Sequence, residues 1–160
     1  MSLICEALGE ALGLENRDVT DLEVVGLLHD IGKIAIDENI LSKPDKLTKA
    51  EYEEIKRHPE IGYRILSSSN ELSDLAEAVL FHHERWDGLG YPKGVSGEEI
   101  PLKARIITVA DAFDAMVSER SYRKAMTVNE AIEELKKNAG SQFDERIVKR
   151  FIESEIYNKI

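Results

Sequence analysis

Four histidines occur in the chain, each beside a second donor or at a helix end. His29 is followed by Asp30 in LLHDIGK, His58 precedes Pro59, and His82 and His83 are adjacent in FHHERWDG. Asp111 and Asp114 lie one helical turn apart in VADAFDA. Imidazole and carboxylate without thiolate suit borderline or hard divalent metals such as iron, manganese, zinc or nickel, and the donor set admits a multinuclear site. Taken singly, each residue has a plainer explanation. A His-Asp pair is commonly surface or core filler, Asp111 in an apolar helix reads as a satisfied buried carboxylate, and Lys33 reads as a solvated cation near a helix end. Only their conjunction argues for a metal.

If the segment around 20–32 is helical, His29 and Lys33 are four residues apart and Asp30 and Lys33 three apart. The ammonium group then shares a face with both donors. An anion held by the metal would also meet Lys33. The neighbouring Leu27, Leu28 and Ile31 are expected to bury this stretch, which argues against a solvated charge run.

Donors so far apart along the chain need a rigid frame to meet, and the apolar spacing predicts an all-α one. Leu22, Val25, Leu28 and Ile31 recur at helical intervals, as do Ile106, Val109, Ala110, Phe113 and Val117. Helices are expected at about 3–13, 20–32, 49–57, 59–68, 71–84, 102–118, 128–138 and 144–157, with no strand. Three capping boxes mark starts: Thr20 with Glu23, Thr48 with Glu51, and Thr127 with Glu130. Gly13, Gly32 and Gly140 stand where helix ends call for a left-handed residue, and Pro59 suits a first turn. The connections 33–48 and 85–101 are longer than most in a compact domain. The second carries Trp86 and Tyr91 among its glycines, so an ordered loop that shapes a pocket is expected. Gly88 and Gly90 permit a tight turn there and Pro92 stiffens it. Tyr91 has two alternatives, packing inward or facing a partner.

At 160 residues the chain fits one domain with a core that needs no disulfide. Its 31 acidic against 21 basic residues give a net charge of -10, which repels polyanions and makes a nucleic-acid duplex a poor partner. A small anionic substrate remains compatible, because a metal and a few local cations dominate within a few ångströms. The single cysteine, Cys5, excludes an internal disulfide and a zinc ribbon, and fits a reducing, cytoplasmic setting. There is no apolar run of membrane-spanning length and no signal-peptide pattern. The opening MSLICEALGEALGL starts inside a helical pattern without a cap, as a cut domain boundary would, and Met1 to Leu3 fit added cloning residues.

The order HD, H, HH, D on successive helices, with HDIGK at 29–33, His58 in KRHPEIG, HHERWDGLGYP at 82–92, IPLKARIITVADAFDAM at 100–116 and SERSYRKA at 118–125, resembles the HD-GYP family of the HD phosphohydrolase superfamily. The resemblance covers essentially the whole chain, through QFDERIV. HD alone is weak evidence, whereas HHExxDGxGYP in register with it is highly specific. It implies an HD-domain bundle of about seven to eight helices and hydrolysis of cyclic di-GMP to linear pGpG or GMP. It further implies two or three metals, iron or manganese foremost and zinc or nickel as alternatives, held by His29, Asp30, His58, His82, His83 and Asp111. Asp30 would bridge metals, Lys33 would contact the scissile phosphate, and Asp114, Arg120 and Arg123 would line the substrate site. Through the GYP loop it implies contact with diguanylate cyclase (GGDEF) domains, and upstream a regulatory domain.

The family pattern begins one helix earlier, with a further His and often a carboxylate, and no His precedes His29. The expectation is therefore a single domain over 1–160, cut at its N-terminus and short of a ligand. Three readings follow: an active cyclic di-GMP phosphodiesterase, a degenerate module that binds a partner or nucleotide, and an HD phosphohydrolase acting on mononucleotides. The HHExxDGxGYP stretch and the paired arginines argue against the last.

Overall fold

A computed structural model describes residues 1–119 and 124–158. Its helices are α1 (Ser2–Ala11), α2 (Asn16–Leu28), α3 (Glu38–Leu41), α4 (Lys49–Ile55), α5 (His58–Ser67), α6 (Ser73–Phe81), α7 (Leu102–Val117), α8 (Val128–Lys137) and α9 (Glu145–Glu153). Short 3-10 turns occupy Ile31–Ala35, Gly97–Glu99 and Ile156–Asn158. Every helix expected from periodicity is present; α3, a single turn inside the 33–48 connection, was not foreseen. Among the described residues the sole β feature is an isolated bridge between Ala139 and Phe143. No helix described is long and apolar enough to cross a membrane.

Helix α7 runs through the centre because its apolar positions cover more than one face. Ala104, Ile106, Ile107, Val109, Ala110 and Phe113 are all buried, against α1, α2, α6, α8 and α9. The amphipathic α8 and α9 contribute only a stripe each, Ala131, Ile132 and Leu135 from one and Ile147, Val148 and Phe151 from the other. Helix α1 lies tightly on α2, where a Cβ on Gly9 would come within 2.8 Å of Leu22.

Two of the three capping boxes form. Thr48 accepts from Glu51 N while the Glu51 carboxylate accepts from Thr48 N, and Thr127 and Glu130 repeat the exchange. The Thr20 box does not form. The turn after α1 closes at Gly13, whose φ is +74°, and α2 has already begun at Asn16. Thr20 is thus inside the helix, and its hydroxyl donates back to Asn16 O at 3.0 Å.

The expected helix 20–32 also ends early, and this decides the geometry of the site. Helix α2 stops at Leu28, His29 caps it, and the chain tightens into a 3-10 turn in which Lys33 N donates to Asp30 O at 2.9 Å. His29 and Lys33 therefore do not share a helical face, although Asp30 and Lys33 still meet. Leu27 is 67% exposed rather than burying the segment. Gly32 is not a left-handed terminator: a Cβ there would lie 1.9 Å from the His58 carbonyl oxygen and 2.7 Å from Gly62 N. It lets the 3-10 turn touch the backbone of α5 directly. Gly62 answers from the other side, where a Cβ would meet Val79 at 2.8 Å.

Because neither backbone can retreat from that contact, Gly32→Ala should destabilise the fold by about 1–3 kcal/mol or more, as overpacking does. Denaturant unfolding of the variant would measure this; unchanged stability would show that the crossing has slack.

Candidate metal centre

The four histidines reach the centre from helix ends, and Asp111 from within a helix. His29 closes α2, His58 opens α5, His82 and His83 follow α6, and Asp111 projects from the middle of α7. Three of the imidazoles are fixed in the same way. His29 Nδ1 lies 2.9 Å from Gly26 O, His58 Nδ1 2.7 Å from Ile55 O, and His82 Nδ1 2.6 Å from Val79 O, each the carbonyl three residues back. A carbonyl only accepts, so Nδ1 carries the hydrogen, and in the neutral ring the lone pair falls on Nε2. This is how metal-ligating histidines are oriented by a second hydrogen bond.

The Nε2 atoms then converge. His58 Nε2 lies 3.3 Å from His82 Nε2 and 3.3 Å from Asp30 Oδ1. Asp30, His58, His82 and His83 each offer a donor atom, all within 4.8 Å of one another. A second group meets on the other side of the same carboxylate, with His29 Nε2 3.4 Å from Asp30 Oδ2 and 3.7 Å from Asp111 Oδ1. Asp30 thus turns one oxygen to each group. Lys33 Nζ donates to Oδ2 at 2.7 Å.

Burial pulls the ring of His58 below its usual value despite the Ile55 carbonyl, drives His82 well down, and takes His83 to about 3, helped by the nearby His58. Burial is the largest single influence on Asp30 and His29 and acts against charge on both, but the hydrogen bond between them and the attraction of neighbouring opposite charges together outweigh it. With Lys33 assisting, Asp30 is held far below the carboxylate range, while His29 is raised. At neutral pH the four-donor group is therefore one carboxylate and three uncharged imidazoles. Two Nε2 lone pairs facing at 3.3 Å with no hydrogen between them repel; a cation between them converts the repulsion into ligation. The donors fit a divalent metal on this ground.

The loop after His83 forms the outer wall, as expected of an ordered segment. Tyr91 stacks on the His83 ring, centroids 4.9 Å apart, which settles its orientation as inward. The guanidinium groups of Arg105 and Arg146 both stand over the Trp86 ring, 5.7 and 5.4 Å from its centroid. Buried Asp144 accepts from both arginines, at 2.7 Å from Arg105 Nη1 and 2.8 Å from Arg146 Nη2. Trp86 N and Asp87 N donate to Gln142 O and Ser141 O, tying the loop to the start of α9.

Two residues carry weight that sequence reasoning missed. Glu84, only 2% exposed, accepts from Lys93 N at 2.6 Å and Gly94 N at 3.1 Å, so it folds the GYP loop over the histidines. Its place directly after His82 and His83 was the available signal. Asp144, likewise 2% exposed, lies in QFDERIV, where no local signal marks it out from a surface carboxylate. Of the expected substrate residues, Asp114 sits one turn beyond Asp111, outside the gathered donors, and accepts from the Met1 amino group at 3.1 Å. Arg120 and Arg123 lie outside the described residues.

Comparison with known proteins accords with this geometry. A relative from Xanthomonas campestris pv. campestris (strain 8004), "Cyclic di-GMP phosphodiesterase response regulator RpfG", is 47% identical over 92% of this chain and 40% of its own length. A "Cyclic di-GMP phosphodiesterase" of Thermotoga maritima is 45% identical over 92% of this chain and 41% of its own. The chain thus spans about 40% of the curated relatives it matches. The crystal structure of a cyclic GMP-AMP specific phosphodiesterase of V. cholerae superposes with a TM-score of 0.72 at 21% identity, over 95% of this chain and 42% of that one. At that identity the likeness is one of fold. The family model described as "HD domain" matches residues 1–147, and the chain belongs to the HD domain family.

Proposed function

We propose that the chain is the catalytic domain, spanning 1–160, of a metal-dependent phosphodiesterase that hydrolyses cyclic di-GMP to linear pGpG, and onward to GMP. The observation that carries this reading is Asp30, set between two donor groups with one oxygen toward each. A carboxylate so placed suits a pair of cations, and a pair suits displacement at phosphorus. His58, His82 and His83 would hold one cation with Asp30, while His29 and Asp111 would hold its neighbour. Iron or manganese is the proposed metal, zinc or nickel the alternatives, and a third ion would need ligands from upstream of His29. When bound, the cations supply Lewis acidity and a lowered water pKa near neutral pH.

The reaction adds water across one phosphodiester: a P–O bond forms from water, the P–O3′ bond breaks, and the 3′-oxygen leaves as a hydroxyl. Lys33 already neutralises Asp30 and is 38% exposed, so its ammonium can turn to the charge that grows on the phosphoryl group. Asp114, Arg120 and Arg123 are proposed to line the nucleotide site. A cytoplasmic setting, an upstream regulatory domain and docking of diguanylate cyclase domains on the GYP loop complete the proposal. Leu89, 78% exposed at the loop tip, is the surface offered for that docking.

Anaerobic metal analysis combined with chromatography of cyclic di-GMP tests the reading. Metal-dependent appearance of pGpG supports it; bound metal without product favours a binding module, and faster turnover of a mononucleotide favours the simpler phosphohydrolase. Lys33→Ala should retain metal and lose turnover by about two to three orders of magnitude, the scale of removing one transition-state donor. Equal turnover would remove Lys33 from the mechanism.

Protonation gives an independent check. In the unfolded chain His58, His82 and His83 take up protons below about pH 6.5, whereas the folded rings resist until lower pH, down to about 3 for His83. The unfolded state therefore binds more protons, and metal-free stability should fall as pH drops through this window. Asp30, depressed by folding, adds to the loss at its acid end, and only the raised His29 opposes it. Thermal melts of the metal-free chain between pH 7.5 and 4 would show the decline, and a flat profile would contradict the burial of these rings.

A further inference from the structure

His83 differs from the other three histidines in how its ring is held. Where His29, His58 and His82 each donate Nδ1–H to a carbonyl three residues back, the His83 ring makes no hydrogen bond among the described residues. Its surroundings are aromatic instead. The His82 ring lies 4.0 Å away, that of His58 5.0 Å, and the Tyr91 ring is stacked on it at 4.9 Å with an interplanar angle of 29°.

Tyr91 is in turn held by its neighbours. Its backbone N donates to His83 O at 3.2 Å, so ring and backbone address the same residue. Gly90 brings the strand of loop in close, since a Cβ there would stand 2.4 Å from Arg85 N and 2.5 Å from Glu84 Cα. On the far side the carboxylate of Glu84 fastens Lys93 N and Gly94 N. The Lys56 ammonium stands 5.4 Å from the Tyr91 centroid, itself anchored by Glu53 at 3.1 Å. With His83 and Lys56 both against it, the tyrosine ring is part of the wall, not a free platform for a base or a partner.

Building on the metal reading proposed above, we infer that Tyr91 is a positioning residue: stacking on its ring fixes the His83 imidazole as carbonyl hydrogen bonds fix the other three. The GYP loop thereby supplies an orienting contact that the helix ends cannot. His83 follows the last turn of α6, and its Nδ1 lacks the carbonyl partner that His82 has. The ring face, not the phenol oxygen, carries the effect.

Titration of the metal-free chain with cobalt(II), followed by the d–d absorption spectrum and the dissociation constant, tests this apart from activity. Tyr91→Phe keeps the ring and should match the wild type. Tyr91→Leu should weaken cobalt binding by about tenfold or more, the usual scale for losing a contact that orients a ligand, and should alter the spectrum while the melt stays cooperative. Should Tyr91→Leu not fold, Tyr91→Met, with a flexible side chain to fill the gap, carries the same expectation. A folded Tyr91→Leu or Tyr91→Met with wild-type affinity and spectrum overturns the role of Tyr91. So does a Tyr91→Phe as impaired as the leucine variant, which would shift the effect to the hydroxyl. A wild-type chain that takes up no cobalt would instead overturn the metal reading on which this one rests.

Discussion

The structure turns on a repulsion: uncharged imidazoles pressed together with their lone pairs facing. His58 and His82 have committed Nδ1 to backbone carbonyls, which leaves Nε2 of each ring bare at 3.3 Å from the other. Protonating one ring would relieve the contact, but burial opposes it. Each carbonyl hydrogen bond contributes on the order of 1 kcal/mol, and together they hold rings where isolated side chains would not stay. Folding thus builds a place whose unfavourable electrostatics a bound cation would relieve, so cation binding and stability are linked.

What forces the donors so close is backbone rather than side chain. The 3-10 turn after His29 crosses α5 where Gly32 and Gly62 face, and no Cβ would fit at Gly32. That crossing sets His58 beside Asp30 across a sequence separation of 28 residues. An α-helix continued through Asp30, as the periodicity suggested, would have carried Lys33 around the same axis as His29. The tighter turn instead leaves Asp30 between two donor groups with Lys33 on one of its oxygens.

The loop after His83 is as much a part of the frame as the helices. It is closed by a buried carboxylate, Glu84, and anchored by Trp86 against two arginines that share Asp144. Buried carboxylates are costly unless satisfied: Glu84 is satisfied by the loop amides of Lys93 and Gly94, and Asp144 by Arg105, Arg146 and the first turn of α9.

The sequence by itself determined the helical frame, the boxes at Thr48 and Thr127, an ordered loop with Trp86 and Tyr91 as aromatic anchors, and Asp30, His58, His82 and His83 among the candidate donors. Those features follow from local periodicity, capping and residue chemistry, which neighbours along the chain decide. It misread Thr20 as a cap and Gly32 as a helix terminator, because both depend on where another segment lies. It also assigned nothing to Glu84 or Asp144, since a carboxylate in sequence looks alike whether it faces water or a loop amide. Only the tertiary structure decided which oxygen of Asp30 meets which histidine, and that Tyr91 covers His83. Contacts between residues distant in sequence are fixed by packing, and packing is not written in any one segment.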